Sequence, residues 1–131
     1  MARNNHGNSG ATLVEHAIVL PALLMFLLAV ADAGRLMWSN ATLASAVAAA
    51  ARCGAVNPSV CGSTTAIQSY AVSHAWGIKV TAAAFTVTTP ACGTQVKGTL
   101  TFSFVIPWFY VAGPFGSNNR MTLSATSCYP K

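Results

Sequence analysis

The chain has 131 residues, 53% of them hydrophobic, and seven Lys or Arg against two acids, for a net charge of +5. The bases are scattered without a cluster, so binding to nucleic acid through phosphate contacts is not expected. Both acids, Glu15 and Asp32, lie near the N-terminus, which leaves no carboxylate for acid–base catalysis in anything that follows, and no enzymatic function is expected.

Residues 1–9, MARNNHGNS, are polar, carry Arg3 and contain nothing to bury, which reads as a leader or disordered tail. From residue 11 to 31 the strongly polar side chains are Thr12, Glu15 and His16, and Pro21 is the sole interruption of the apolar run from 17 to 31. At about 1.5 Å per residue this stretch spans roughly 30 Å, enough for one membrane-crossing helix. If the part after this stretch lies outside the cytoplasm, the N-terminus with Arg3 lies inside, the sense that the positive-inside rule weakly favours. A cleaved signal peptide ending at Ala31-x-Ala33 is the competing reading. Against it stand the polar Glu15 and His16 at the start of the apolar region and a helical pattern that continues past Ala33.

Beyond Asp32 the residues are strong helix formers rich in alanine, and Asp32 and Arg35, three apart, are placed to pair where the helix leaves the membrane. Gly54 and Asn57-Pro58 predict the stop, giving a helix over 11–53 that projects about half its length from the bilayer. The small residues of that half suit packing against other helices or against the chain's own globular part.

Residues 55–131 form a small domain. STTAIQSYAVSHAWG predicts a short helix with Thr65 and Gln68 in capping-box spacing, with Ile67, Tyr70, Ala71 and His74 on one face and with Gly77 as its stop. Three strands are expected next: 78–89 with a bulge near Ala83, 94–106 and 120–127. The second alternates, with Val96, Leu100, Phe102, Phe104 and Ile106 facing one way and Lys97, Thr99, Thr101 and Ser103 the other. In the third, Met121, Leu123 and Ala125 point inward. The fold class is therefore α+β, a long N-terminal transmembrane helix followed by a small domain with a short helix and a three-stranded antiparallel meander with one wet face.

Cys53, Cys61, Cys92 and Cys128 form no CxxC pair and no histidine completes a zinc pattern, so disulfides are expected and no metal or cofactor. In a meander the end of the third strand lies beside the start of the second, which pairs Cys92 with Cys128 and leaves Cys53 with Cys61 in the loop after the long helix. Two bridges imply an oxidising compartment for the domain. Between the last two strands, VIPWFYVAGPFG presents Trp108, Phe109, Tyr110 and Phe115. This segment reads either as an exposed subunit-contact or adhesive loop, or as one that folds over the sheet or rests on the membrane. His16 and His74 read as polar filler and a packed residue.

A basic polar leader, Gly10, four residues, Glu15 and an apolar helix together resemble the class III signal of prepilins and pseudopilins. More specifically, GATLVEHAIVLPALLMFLLAVADAGRLM, followed by an alanine-rich helix ending AAAARCGA, resembles the TadE-like family, pilin-like proteins of the tight adherence pilus in the type IV filament superfamily. The resemblance covers residues 10–54 and extends loosely to the C-terminal strands. His16 stands where the family usually has an aromatic, and the four cysteines are not a family feature.

The resemblance implies a leader of residues 1–10, cut between Gly10 and Ala11 by an aspartic prepilin peptidase, and a helix over 11–54 that assembles with other pilin subunits. It further implies a subunit held in the lipid of the bacterial inner membrane, domain outside the cytoplasm, delivered through an assembly platform to the pilus and cell surface for adhesion. Glu15 would then meet the new α-amino group of a neighbouring subunit's Ala11, since a carboxylate in apolar surroundings needs a partner. Its alternative is to reach back to the headgroups. Pro21 either permits a kink in assembly or is a tolerated membrane proline. Two other functions stay open: a single-pass membrane protein whose disulfide-bonded domain binds a partner without any filament, and a small secreted domain released near Ala33.

Overall fold

The computed structural model describes residues 9–105 and 120–130. Helix α1 runs from Ser9 to Val56, 48 residues or about 72 Å at the standard rise. It is followed by the single turn α2 (Pro58–Cys61), helix α3 (Thr64–His74), a 3₁₀ turn (Ala82–Ala84), and strands β1 (Phe85–Thr88), β2 (Thr94–Ser103) and β3 (Arg120–Tyr129). The sheet is antiparallel in the order β1-β2-β3, so the architecture is the expected α+β arrangement of a long helix, short helices and a three-stranded meander.

The second half of α1 packs on its own domain. Leu43, Ala46, Val47, Ala50 and Ala51, at spacings of three and four, form a fully buried stripe. Opposite lie Phe85, Val96, Phe102 and Leu123 from the sheet and Ile67 and Ala71 from α3. The β2 alternation holds: Val96 and Phe102 are buried and Leu100 half-buried, whereas Lys97, Thr99, Thr101 and Ser103 are exposed. In β3, Leu123 is buried and Met121 and Ala125 half-buried, each opposite an inward residue of β2 (Met121 to Phe102, Leu123 to Leu100, Ala125 to Gly98).

Several boundaries differ from the sequence reading, each for a local reason. Gly54 does not stop α1. The helix continues to Val56 and ends because Asn57 precedes Pro58, whose ring disfavours helical geometry in the residue before it. Gly54 instead permits close packing, since a Cβ there would come within 2.7 Å of Ile67 Cδ1 and 2.9 Å of Thr94 Cγ2. Helix α3 is capped by Ser63, whose Oγ accepts the Ala66 N–H, and not by a Thr65–Gln68 box. Gln68 points to the sheet and donates from Nε2 to the Phe85 carbonyl at 2.7 Å. The α3 helix ends at His74, before Gly77.

The expected strand over 78–89 is cut to Phe85–Thr88, because three alanines in succession form a 3₁₀ turn in place of a bulge. Strand β2 ends at Ser103 and not at 106, while β3 runs two residues further than expected, to Tyr129.

Disulfides join Cys53 to Cys61 and Cys92 to Cys128. The first fastens α2 back onto the end of α1, and the second ties the segment leading into β2 to the end of β3, where Cys128 lies opposite Gln95.

Candidate functional site

The feature that sets this molecule apart is the first half of α1. From residue 13 to 31 every side chain except half-buried Ala29 is exposed, including Leu13, Ile18, Leu23, Phe26 and Leu27. No part of the described domain covers this run, which beyond Glu15 and His16 is apolar on every side. Leaving so many large side chains in water forfeits about 1.5–3 kcal/mol apiece, so the segment calls for lipid or other helices around it. By length and composition it suits a single membrane pass.

The chain's two acids bracket this run, Glu15 at one end and Asp32 at the other, 17 residues or about 26 Å apart along the axis. Their environments differ. Glu15 is exposed among apolar neighbours, five residues beyond Gly10. Gly10 and Ala11 lie in the first turns of α1, so the helix already exists where the sequence reading ends its leader. Pro21 sits inside α1 without ending it.

Asp32 is only 3% exposed. One carboxylate oxygen accepts from Arg35 Nη1 at 2.7 Å, and the other accepts the backbone N–H of Val105 at 2.8 Å, 73 positions away. The Asp32–Arg35 pairing is legible in the sequence; the Val105 bond is not. That bond lies two residues past Ser103 and fastens the segment after β2 to α1. Arg35 also lies over the Phe102 ring, its guanidinium carbon 5.4 Å from the centroid. Asp32 thus marks the point at which α1 changes from a bare helix to one packed on a sheet.

Beside this point an open groove of about 540 Å³ runs between α1 and the C-terminal part of β2. Arg35, Trp38, Ile78, Lys79 and Phe102 line it. Trp38 is exposed there, Trp76 is exposed next to the groove residue Gly77, and the segments that carry them meet, since a Cβ on Gly77 would lie 3.2 Å from Trp38 Nε1. The sequence reading missed this cluster. Its one available signal was a pair of tryptophans placed next to glycines and bases, Trp38 near Gly34 and Arg35, Trp76 near Gly77 and Lys79.

The remaining candidates divide simply. Trp108, Phe109, Tyr110 and Phe115 of the proposed contact loop lie outside the described residues, as does Ile106. His74 is exposed and stacks on Tyr70 at a ring separation of 4.1 Å, so it is a surface residue of α3 and not a packed one. Among the described residues no group of three or more His, Cys, Asp or Glu is placed to hold a metal ion.

No curated protein and no solved structure gives a significant match to the chain. A family model does, and it coincides with most of α1. Residues 10–52 match the TadE-like protein family, and the matched segment together with its bare apolar run fits a pilus-related membrane protein.

Proposed function

We propose that this protein is a TadE-like minor pilin or pseudopilin that is cut after Gly10 by a prepilin peptidase and assembled through α1 into, or at the base of, a tight adherence pilus. The observation that carries the proposal is the uncovered apolar run over 13–31 continuing without a break into the helix that forms the core of the domain. Such a rod transfers from lipid to a bundle of like helices at little hydrophobic cost, because both surroundings are apolar. Residues 1–10 then serve as a leader, 11–54 as the assembly helix and 55–131 as the extracytoplasmic domain of an inner-membrane precursor. Its partners are the peptidase, the assembly platform and other pilin subunits, and the assembled subunit supports adhesion at the cell surface.

Glu15 supplies the register. Cleavage creates an α-amino group at Ala11, and a neighbouring subunit's Glu15 meets it within the apolar bundle, where each charge needs the other. The two disulfides support a domain that matures in an oxidising compartment. Release near Ala33 by a signal peptidase is disfavoured, because it would remove Asp32, whose carboxylate is buried in the domain and holds Val105.

N-terminal mapping of the protein from cells by mass spectrometry tests the processing step. A mature start at Ala11 is expected, an intact N-terminus would favour the single-pass protein without a filament, and a start near Gly34 would favour the secreted domain. Gly10→Leu is expected to accumulate uncut precursor. Glu15→Ala is expected to be cut normally and to be absent from sheared pili, and normal incorporation of that variant would refute the register role.

A further inference from the structure

The groove beside Asp32 has no part in cleavage or helix assembly, yet its position and chemistry are specific. Arg35 and Trp38 stand four and seven residues beyond Ala31, the last residue of the apolar run, or roughly 6 and 10 Å along α1. The polar headgroup layer on each side of a bilayer is about 5–8 Å thick. Helical side chains lean toward the N-terminus, which here is toward the membrane. With residues 13–31 in the hydrocarbon, the groove opens into the headgroup layer.

Its composition fits that layer. Trp38 and Trp76 are 62% and 78% exposed, amphipathic rings of the kind that settle at membrane–water interfaces. Lys79 is exposed and lines the groove with Arg35. No acid follows Asp32 anywhere in the sequence, while Arg35, Arg52, Lys79, Lys97, Arg120 and Lys131 do, so nothing on the domain repels an anionic surface. Arg120 pairs with Ser103 and adds a further base at the same end of the sheet.

From this geometry we infer that the groove lined by Arg35, Trp38, Lys79 and Phe102, with exposed Trp76 next in the chain to its Gly77, docks the headgroup of an anionic phospholipid and seats the domain on the bilayer before assembly. The inference rests on residues 13–31 crossing the membrane and is independent of cleavage at Gly10. Lys79 supplies the charge, since Arg35 is already engaged by Asp32. The tryptophans supply the interfacial contact.

The test uses the full chain carrying Trp108→Phe, so that Trp38 and Trp76 report alone, reconstituted in phosphatidylcholine nanodiscs with increasing fractions of phosphatidylglycerol. Quenching by a headgroup-level spin-labelled lipid is compared with quenching by one labelled deep in the acyl chain. The expected result is stronger quenching by the headgroup label, rising with phosphatidylglycerol to a plateau. Lys79→Ala should raise the fraction needed for half the rise about fivefold, and Lys97→Ala, on the outer face of the sheet, should leave it unchanged.

A flat titration for the inserted chain, or equal shifts for the two lysine variants, would overturn the headgroup site and leave the pilin reading intact. The same holds if quenching tracks the protein-to-lipid ratio, which would mark a second copy, or if soluble glycerol phosphate substitutes for the lipid. A chain that fails to insert into nanodiscs overturns the membrane reading and this inference together.

Discussion

Gly98 is a point of close approach between α1 and the sheet, and replacing it measures how tightly α1 is bound to its domain. A Cβ at this position would lie 2.8 Å from Val47 Cγ2, 3.0 Å from Leu43 Cδ1 and 3.0 Å from Phe85 Cε1. Carbon atoms prefer separations of about 3.5–4.0 Å, so helix and sheet must part by roughly 0.5–1 Å to admit one methyl group. None of the three neighbours has room to yield, since Leu43, Val47 and Phe85 are at most 1% exposed. Overpacking of this kind costs about 1–3 kcal/mol. Alanine recovers about 0.5–1 kcal/mol by restricting the unfolded chain relative to glycine. The net expectation for Gly98→Ala is a loss of about 0.5–2 kcal/mol.

Urea unfolding of the full-length protein in detergent, with both disulfides intact, reads this directly. Val47→Ala should relieve the clash, so the double variant should be less destabilised than the sum of the singles by about 1 kcal/mol. A Gly98→Ala variant as stable as the parent, with additive behaviour toward Val47→Ala, would refute the close helix–sheet contact.

The two disulfides should differ in weight. Loop-closure entropy assigns about 4 kcal/mol to Cys92–Cys128, which spans 36 residues, and about 2.5 kcal/mol to Cys53–Cys61, which spans eight. Comparing oxidised and reduced forms of the two single-bridge Cys→Ala variants checks the order, and a larger effect for Cys53–Cys61 would contradict it. Asp32→Ala should cost about 1–2 kcal/mol and speed hydrogen exchange at the Val105 amide, because the carboxylate there accepts that N–H. Asp32→Asn should cost less, since its amide oxygen still accepts from Val105, while the pair with half-exposed Arg35 contributes little. Equal losses for Ala and Asn would place the stabilisation in the ion pair instead.

Much of α1 was legible in the sequence. Nineteen consecutive residues dominated by Leu, Val, Ala and Phe dictate an uncovered apolar helix whatever follows, because backbone groups in such surroundings must be bonded within the segment. The alternation of β2 and β3 was equally plain, since period two leaves one way to bury Val96, Phe102 and Leu123 together. A meander order then brought Cys128 near the start of β2 without any coordinates.

What local pattern did not decide were events that depend on a distant partner. Whether Gly54 ends α1 depended on Ile67 and Thr94 filling the space that its missing side chain leaves. The backbone N–H of Val105, just beyond the end of β2, is bound by Asp32, 73 positions away. Gln68 left the expected capping role because the Phe85 carbonyl came within reach. The groove exists only because α1, the turn after α3 and β2 converge beside the helix exit. Sequence determines periodicity and apolar length, which are properties of neighbouring residues; tertiary structure decides hydrogen-bond competition and close approach, which are properties of residues that meet only when the chain has folded.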